Sequence, residues 1–138
     1  MNKNVHFMSS RSDWTTPADL LKELNTEFLF SFDPCPTNPT FDGLNCEWGY
    51  SNFCNPPYGR QITAWIKKGY EESLKGKLVV FLIPSRTDTR WWHDYIMKAD
   101  EIRFIRGRLK FGGAKNSAPF PSCIAVFRGT KNEKTRNN

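Results

Sequence analysis

The chain reads as an α/β domain, and three features predict that class. Short apolar runs suited to strands alternate with stretches of helical spacing. The clearest run, Leu78-Val79-Val80-Phe81-Leu82-Ile83, is apolar at every position, as a strand covered on both faces of a largely parallel sheet should be. Three polar, proline-bearing segments follow strand-like runs: Asp33-Pro34, Asn55-Pro56-Pro57-Tyr58 and Pro84-Ser85-Arg86. In such sheets ligands sit beyond the carboxyl ends of the strands, so these exits define one candidate pocket.

The elements follow in order. Thr15-Thr16-Pro17 before Ala18-Asp19-Leu20-Leu21-Lys22-Glu23-Leu24 is a helix opening, with proline at the first helical position and acids early. Leu20, Leu21 and Leu24 form its apolar stripe. Phe28 to Phe32 reads as a short strand ending at Asp33-Pro34. Residues 35–50 are rich in Pro, Asn, Gly and Thr and read as a loop with room for one short strand. Ser51 to Cys54 is a strand by context. Gln61 to Leu74 carries apolar residues at helical spacing: Ile62, Trp65, Ile66, Tyr70 and Leu74. After the 78–83 strand, Thr87 to Ala99 reads as a helix capped by Asp88, Glu101 to Ile105 as a strand, Gly107 to Pro121 as a loop, and Cys123 to Phe127 as the last strand.

The 138 residues fit one domain with one core. We assign residues 1–13 to a polar leading segment, 14–128 to the domain and 129–138 to a disordered tail. With 20 Lys and Arg against 14 Asp and Glu, the net charge is +6, which suits an anionic partner such as nucleic acid. Part of that charge, Lys131, Lys134 and Arg136, lies in the tail. Cys35, Cys46, Cys54 and Cys123 form no CxxC pair and have no histidine cluster beside them, so no metal site is expected and buried free thiols in a reducing cytosol are the reading. No apolar run approaches the roughly 20 residues of a membrane span, and the expected location is cytoplasmic.

The chemistry centres on Asn55-Pro56-Pro57-Tyr58. An exocyclic amine such as N6 of adenine is a poor nucleophile, because its lone pair is delocalised into the ring. Two acceptors on its two N–H groups draw that lone pair out towards an electrophile. The Asn55 side-chain oxygen is one such acceptor and the Pro56 carbonyl is the other. Both hold the amine more strongly as it becomes positive in the transition state. Pro56 and Pro57 fix their own φ near −65° and bias the residues before them away from helix, so the acceptors are held before substrate arrives. Tyr58 offers a face for base stacking, and Gly59 permits a close turn. The bland alternative is a rigid Pro-Pro turn with an incidental Asn and Tyr.

This motif and its flanks resemble the phage-type DNA N6-adenine methyltransferase family, related to Dam enzymes. The matching stretches are Trp14 to Pro17, Phe32 to Cys35, Phe53 to Gly59 and Ile83 to His93, with family-like segments at Arg106 to Phe111 and Ala118 to Ser122. The resemblance covers most of residues 14–128. It implies a reduced Rossmann-like S-adenosylmethionine-dependent methyltransferase fold of about five strands, mostly parallel with an antiparallel edge. It implies S-adenosylmethionine as cofactor, with Thr16, Pro17, Asp33, Cys35 and Asn55 as candidate contacts. Asp42 and Glu47 are candidates of the right type for the ribose hydroxyls. The chain departs from the wider methyltransferase pattern after the first strand, where Cys35-Pro36-Thr37-Asn38-Pro39 replaces a Gly-rich G-x-G loop. DNA is the implied partner, with Arg86, Arg90, Arg106, Arg108, Lys110 and Phe120 as candidate contacts around a flipped-out adenine. Trp91 and Trp92 accompany these cations, but lie in a helix where at least one belongs to the core. His93 has no nucleophile to serve and reads as structural or as a phosphate contact. The motif alone also suits amino methylation of RNA or of a protein glutamine, and the missing glycine loop leaves room for an inactive DNA-binding module.

Overall fold

The computed structural model describes residues 15–112 and 115–129. The leading segment, Trp14 and the expected tail beyond Gly129 lie outside the described residues.

Helix α1 spans Ala18–Phe28 and buries Leu24 and Phe28. Pro17 sits one position earlier than expected, at the N-cap, where its carbonyl accepts from Leu21 N at 3.0 Å. The helix stops because Asn25 takes the next two donors. Its carbonyl accepts Leu29 N at 2.8 Å and its side-chain oxygen accepts Phe30 N at 2.9 Å. Leu29 turns the chain with a left-handed φ of 52°.

That ending overturns the expected strand at 28–32. Phe28 belongs to the helix and Pro34 closes the segment, so little extended chain remains. What survives is one parallel bridge, Phe32 to Asn52. No strand forms in residues 35–50; a 3-10 turn at Gly43–Asn45 stands there.

Among the described residues the sheet holds four strands in the order β1-β2-β4-β3. They are β1 (Ser51–Cys54), β2 (Leu78–Pro84), β3 (Glu101–Phe104) and β4 (Ser122–Phe127). Strands β1 and β2 are parallel, with Ser51 beside Leu78 and Cys54 beside Phe81. Strand β4 is antiparallel to both neighbours, β2 and β3. The expectation of about five mostly parallel strands is therefore corrected to four strands and a bridge, with antiparallel ladders in the majority. The last two strands, β3 and β4, do form an antiparallel pair at one edge of the sheet, with the reversed β4 on its inner side. The link from Phe104 to Ser122 contains no helix among its described residues, and a parallel return needs such a crossover, whereas a reversed strand does not. Reversal of β4 leaves β1, β2 and β3 running the same way, so their carboxyl ends share one side of the sheet.

Helix α2 (Ile62–Ser73) crosses from β1 to β2. It lies so close to the sheet that a side-chain carbon at Gly69 would run into the Phe81 ring. The expected 87–99 helix is shorter: α3 is Arg90–Asp94, followed by a 3-10 turn at Ile96–Lys98. Thr89, not Asp88, caps it, accepting from Trp92 N at 3.3 Å. Strand alternation splits the core. Val79, Phe81 and Ile83 pack with Trp65, Trp91 and Trp92 on one face; Val80 and Leu82 pack with Leu24, Phe28, Phe111 and Phe120 on the other.

Candidate active site

Asn55 to Tyr58 leave the carboxyl end of β1, between the Asp33 exit and the Pro84-Ser85-Arg86 exit from β2. Asn55 Nδ2 donates to the Thr16 hydroxyl at 3.0 Å across 39 residues of sequence. Pro56 is buried and Pro57 half-buried. Gly59 has φ 103° and its carbonyl accepts Ile62 N at 3.2 Å, which turns the motif directly into α2.

Tyr58 stands nearly perpendicular to Phe120 (80°, centroids 5.5 Å apart) and to Phe111 (76°, 6.3 Å). Its hydroxyl donates to Leu82 O at 3.4 Å. Burial, then the nearby Cys54 and Cys123 thiols, push its phenol well above the ordinary range, so it stays neutral. Phe120 is 7% exposed, and the Arg86 guanidinium lies 5.6 Å from its ring centroid. Phe120 thus backs Tyr58 from within the core.

Asp33 Oδ1 accepts from Cys35 N at 2.9 Å. The protein packed round its carboxyl raises its pKa, which the Cys35 N–H partly offsets. Asp33 and Cys35 both act electrostatically on the buried Cys54, which immediately precedes Asn55. A carboxylate and a thiol therefore lie at the root of the motif. Asp42 is engaged within its own turn, accepting Leu44 N at 3.0 Å and Asn45 Nδ2 at 2.6 Å. Glu47 is exposed and bound to Lys75 at 2.9 Å and Lys77 at 2.8 Å. Among the described residues, no three His, Cys, Asp or Glu side chains gather as a metal set, and no helix is long and apolar enough to cross a membrane.

The cations divide by position. Lys68, Lys75, Lys77, Arg103 and Arg128 are all in ion pairs, grouped around Glu72 and around Glu27 and Glu101. Lys22, Lys67, Lys98 and Lys115 are exposed with no ion pair, and so, among the described residues, are Arg60, Arg86, Arg90, Arg106, Arg108 and Lys110. The last six follow the ends of β1, β2 and β3, which share one side of the sheet. Six of the ten exposed cations without an ion pair among the described residues thus follow the strand ends on the side that bears Asn55. The segment carrying Arg106, Arg108 and Lys110 is tied down by Ile105 N to Ser122 O at 3.2 Å, Ala118 N to Leu109 O at 2.7 Å and Gly112 N to Thr15 O at 2.8 Å. Trp91 and Trp92 are both core. His93 Nε2 lies 2.8 Å from Thr87 O and braces the turn before α3.

Sequence reasoning missed three features. Arg60 joins the unpaired cations and was legible as the residue after Tyr58-Gly59. Phe111 reads in the sequence as an aromatic among the surface cations, but it is 1% exposed and supports Tyr58. Glu72, 1% exposed, organises three lysines and the Trp48 N–H. Nothing in the local sequence separates it from the solvated Glu71.

Fold and site together define an α/β protein with an Asn-Pro-Pro-Tyr strand exit flanked by exposed cations. The sequence profile of the DNA N-6-adenine-methyltransferase (Dam) family matches residues 4–138, and the chain belongs to that family. No curated protein and no solved structure matches it.

Proposed function

We propose that this protein transfers a methyl group from S-adenosylmethionine to N6 of an adenine flipped out of DNA. The observation that carries this reading is Asn55-Pro56-Pro57-Tyr58 at the end of β1, with its amide nitrogen held on Thr16 and its tyrosine backed by Phe111 and Phe120. Bound S-adenosylmethionine supplies an electrophilic methyl group. The donor set fits it: the Asp33 carboxylate suits its positive charge and amino groups, with Cys35 on the same turn, while the Thr16 hydroxyl is engaged by Asn55. Asp42 shapes the loop, since both its oxygens serve its own turn. The Asn55 oxygen and the Pro56 carbonyl accept the two N–H groups of the adenine amine, turning its lone pair outward as it acquires positive charge. The Tyr58 ring provides a stacking surface for the extruded base. Arg60, Arg86, Arg90, Arg106, Arg108 and Lys110 bind phosphates and set position rather than read sequence.

The test is to incubate the protein with labelled S-adenosylmethionine and unmethylated DNA, then analyse nucleosides by mass spectrometry. N6-methyladenine is the expected product. Asn55→Ala should lower turnover about 100- to 1,000-fold while cofactor affinity changes much less. Label found in RNA or in a glutamine side chain would displace the DNA reading, and near-normal turnover by Asn55→Ala would displace the site.

A further inference from the structure

We infer that Thr16 is a positioning residue that holds the Asn55 amide against rotation where it meets the substrate amine. This rests on the proposed function, since it concerns how Asn55 meets its substrate.

An asparagine amide has a broad, two-fold preference about its last torsion. Turned one way it presents an acceptor; turned the other way it presents a donor. Only the acceptor can hold an amine N–H. The prolines fix the backbone at this strand exit but leave that side-chain torsion free. A hydrogen bond from outside the motif can stop it turning.

The Thr16 hydroxyl does so, taking Asn55 Nδ2 at 3.0 Å. With the nitrogen fixed there, the amide oxygen points to the other side. Thr16 is itself held by both neighbours. The Thr15 carbonyl accepts Gly112 N at 2.8 Å, and the Pro17 carbonyl accepts Leu21 N at 3.0 Å at the start of α1. Its place before a proline restricts its backbone, and its β-branched side chain is stiff at the first torsion. The hydroxyl is therefore a fixed reference point, built before DNA arrives. The same Thr15 bond ties it to the segment carrying Arg106, Arg108 and Lys110.

The experiment compares Thr16→Val, which keeps the shape without the hydroxyl, with Thr16→Ser, which restores it. Turnover at saturating DNA and cofactor should fall about 10- to 100-fold in Thr16→Val and return to within about threefold of wild type in Thr16→Ser. The KM for DNA and the calorimetric Kd for S-adenosylmethionine should each move less than about threefold. Nitrogen-15 NMR of the side-chain amides reads the contact without activity. The Asn55 pair, identified by its loss in Asn55→Ala, should shift in Thr16→Val and be restored in Thr16→Ser. An unchanged amide signal in Thr16→Val overturns the inference. So does a weakened cofactor Kd with unchanged turnover, which makes Thr16 a cofactor contact. A wild-type protein that does not methylate DNA sinks the proposed function instead, and the amide signal alone then decides whether Thr16 holds Asn55.

Discussion

Replacing Glu72 with glutamine should destabilise the fold and loosen the loop beside the candidate active site. The Glu72 carboxylate accepts Lys68 Nζ at 3.0 Å, Lys75 Nζ at 2.9 Å and Trp48 N at 3.1 Å, and it also pairs with Lys77. Trp48 Nε1 in turn donates to Gly43 O at 2.7 Å, so the carboxylate anchors the loop from Asp42 to Trp48. Burial pushes the Glu72 pKa up, but the hydrogen bonds from Lys77, Lys75, Trp48 and Lys68 outweigh it and hold the group at about 2, against an ordinary 4.5. At about 1.4 kcal/mol per pKa unit, that difference corresponds to about 3 kcal/mol of stability. The folded pKa is depressed, so this stability is fully present above pH 4.5 and is lost as pH falls towards 2. Glu72→Gln keeps the volume and removes the charge. Urea unfolding at pH 7 should show a loss of about 2–3 kcal/mol, and the melting temperature should fall by roughly 10 °C. The gap between variant and wild type should narrow steadily below pH 4.5. A loss under about 0.5 kcal/mol at pH 7, or a gap that holds constant down to about pH 2.5, would refute the reasoning.

Two further predictions concern the site and its surface. Burial raises the Cys54 thiol well above its ordinary range and lifts Cys123 to about 11, so at pH 8 maleimide should label the half-buried Cys35 and Cys46 of the native protein and spare both others. Saturating S-adenosylmethionine should slow labelling of Cys35 but not of Cys46; equal rates with and without it would remove Cys35 from the cofactor site. Arg108→Ala should weaken DNA binding and reduce the log–log salt slope by about one, with turnover at saturation retained. Tyr58→Ala should instead depress turnover at every salt concentration, and wild-type behaviour in both would move the DNA surface elsewhere.

Some of this protein is written in short stretches of its chain. The all-apolar run at Leu78–Ile83 became the central strand, because nothing polar along it forces it to the surface. The helical spacing from Ile62 became α2, and the prolines after Asn55 mark a rigid strand exit because they act on their own backbone. Local rules failed where two neighbours compete for a residue. Phe28 and Leu29 suit a strand, yet Leu24 draws Phe28 into α1 and Asn25 caps the turn that follows. Asp88 and Thr89 are both good caps, and the turn from Arg86 decides for Thr89. Other features have no local signal. The internal place of reversed β4, the burial of Glu72 among three lysines, the aromatic wall behind Tyr58 and the Thr16–Asn55 bond join residues far apart in the chain. The motif therefore suggests the acceptor role proposed for Asn55, because that chemistry belongs to one side chain and its prolines. The contact of the amide with Thr16 and the gathering of exposed cations past the ends of three strands are properties of packing, and only the folded chain sets them.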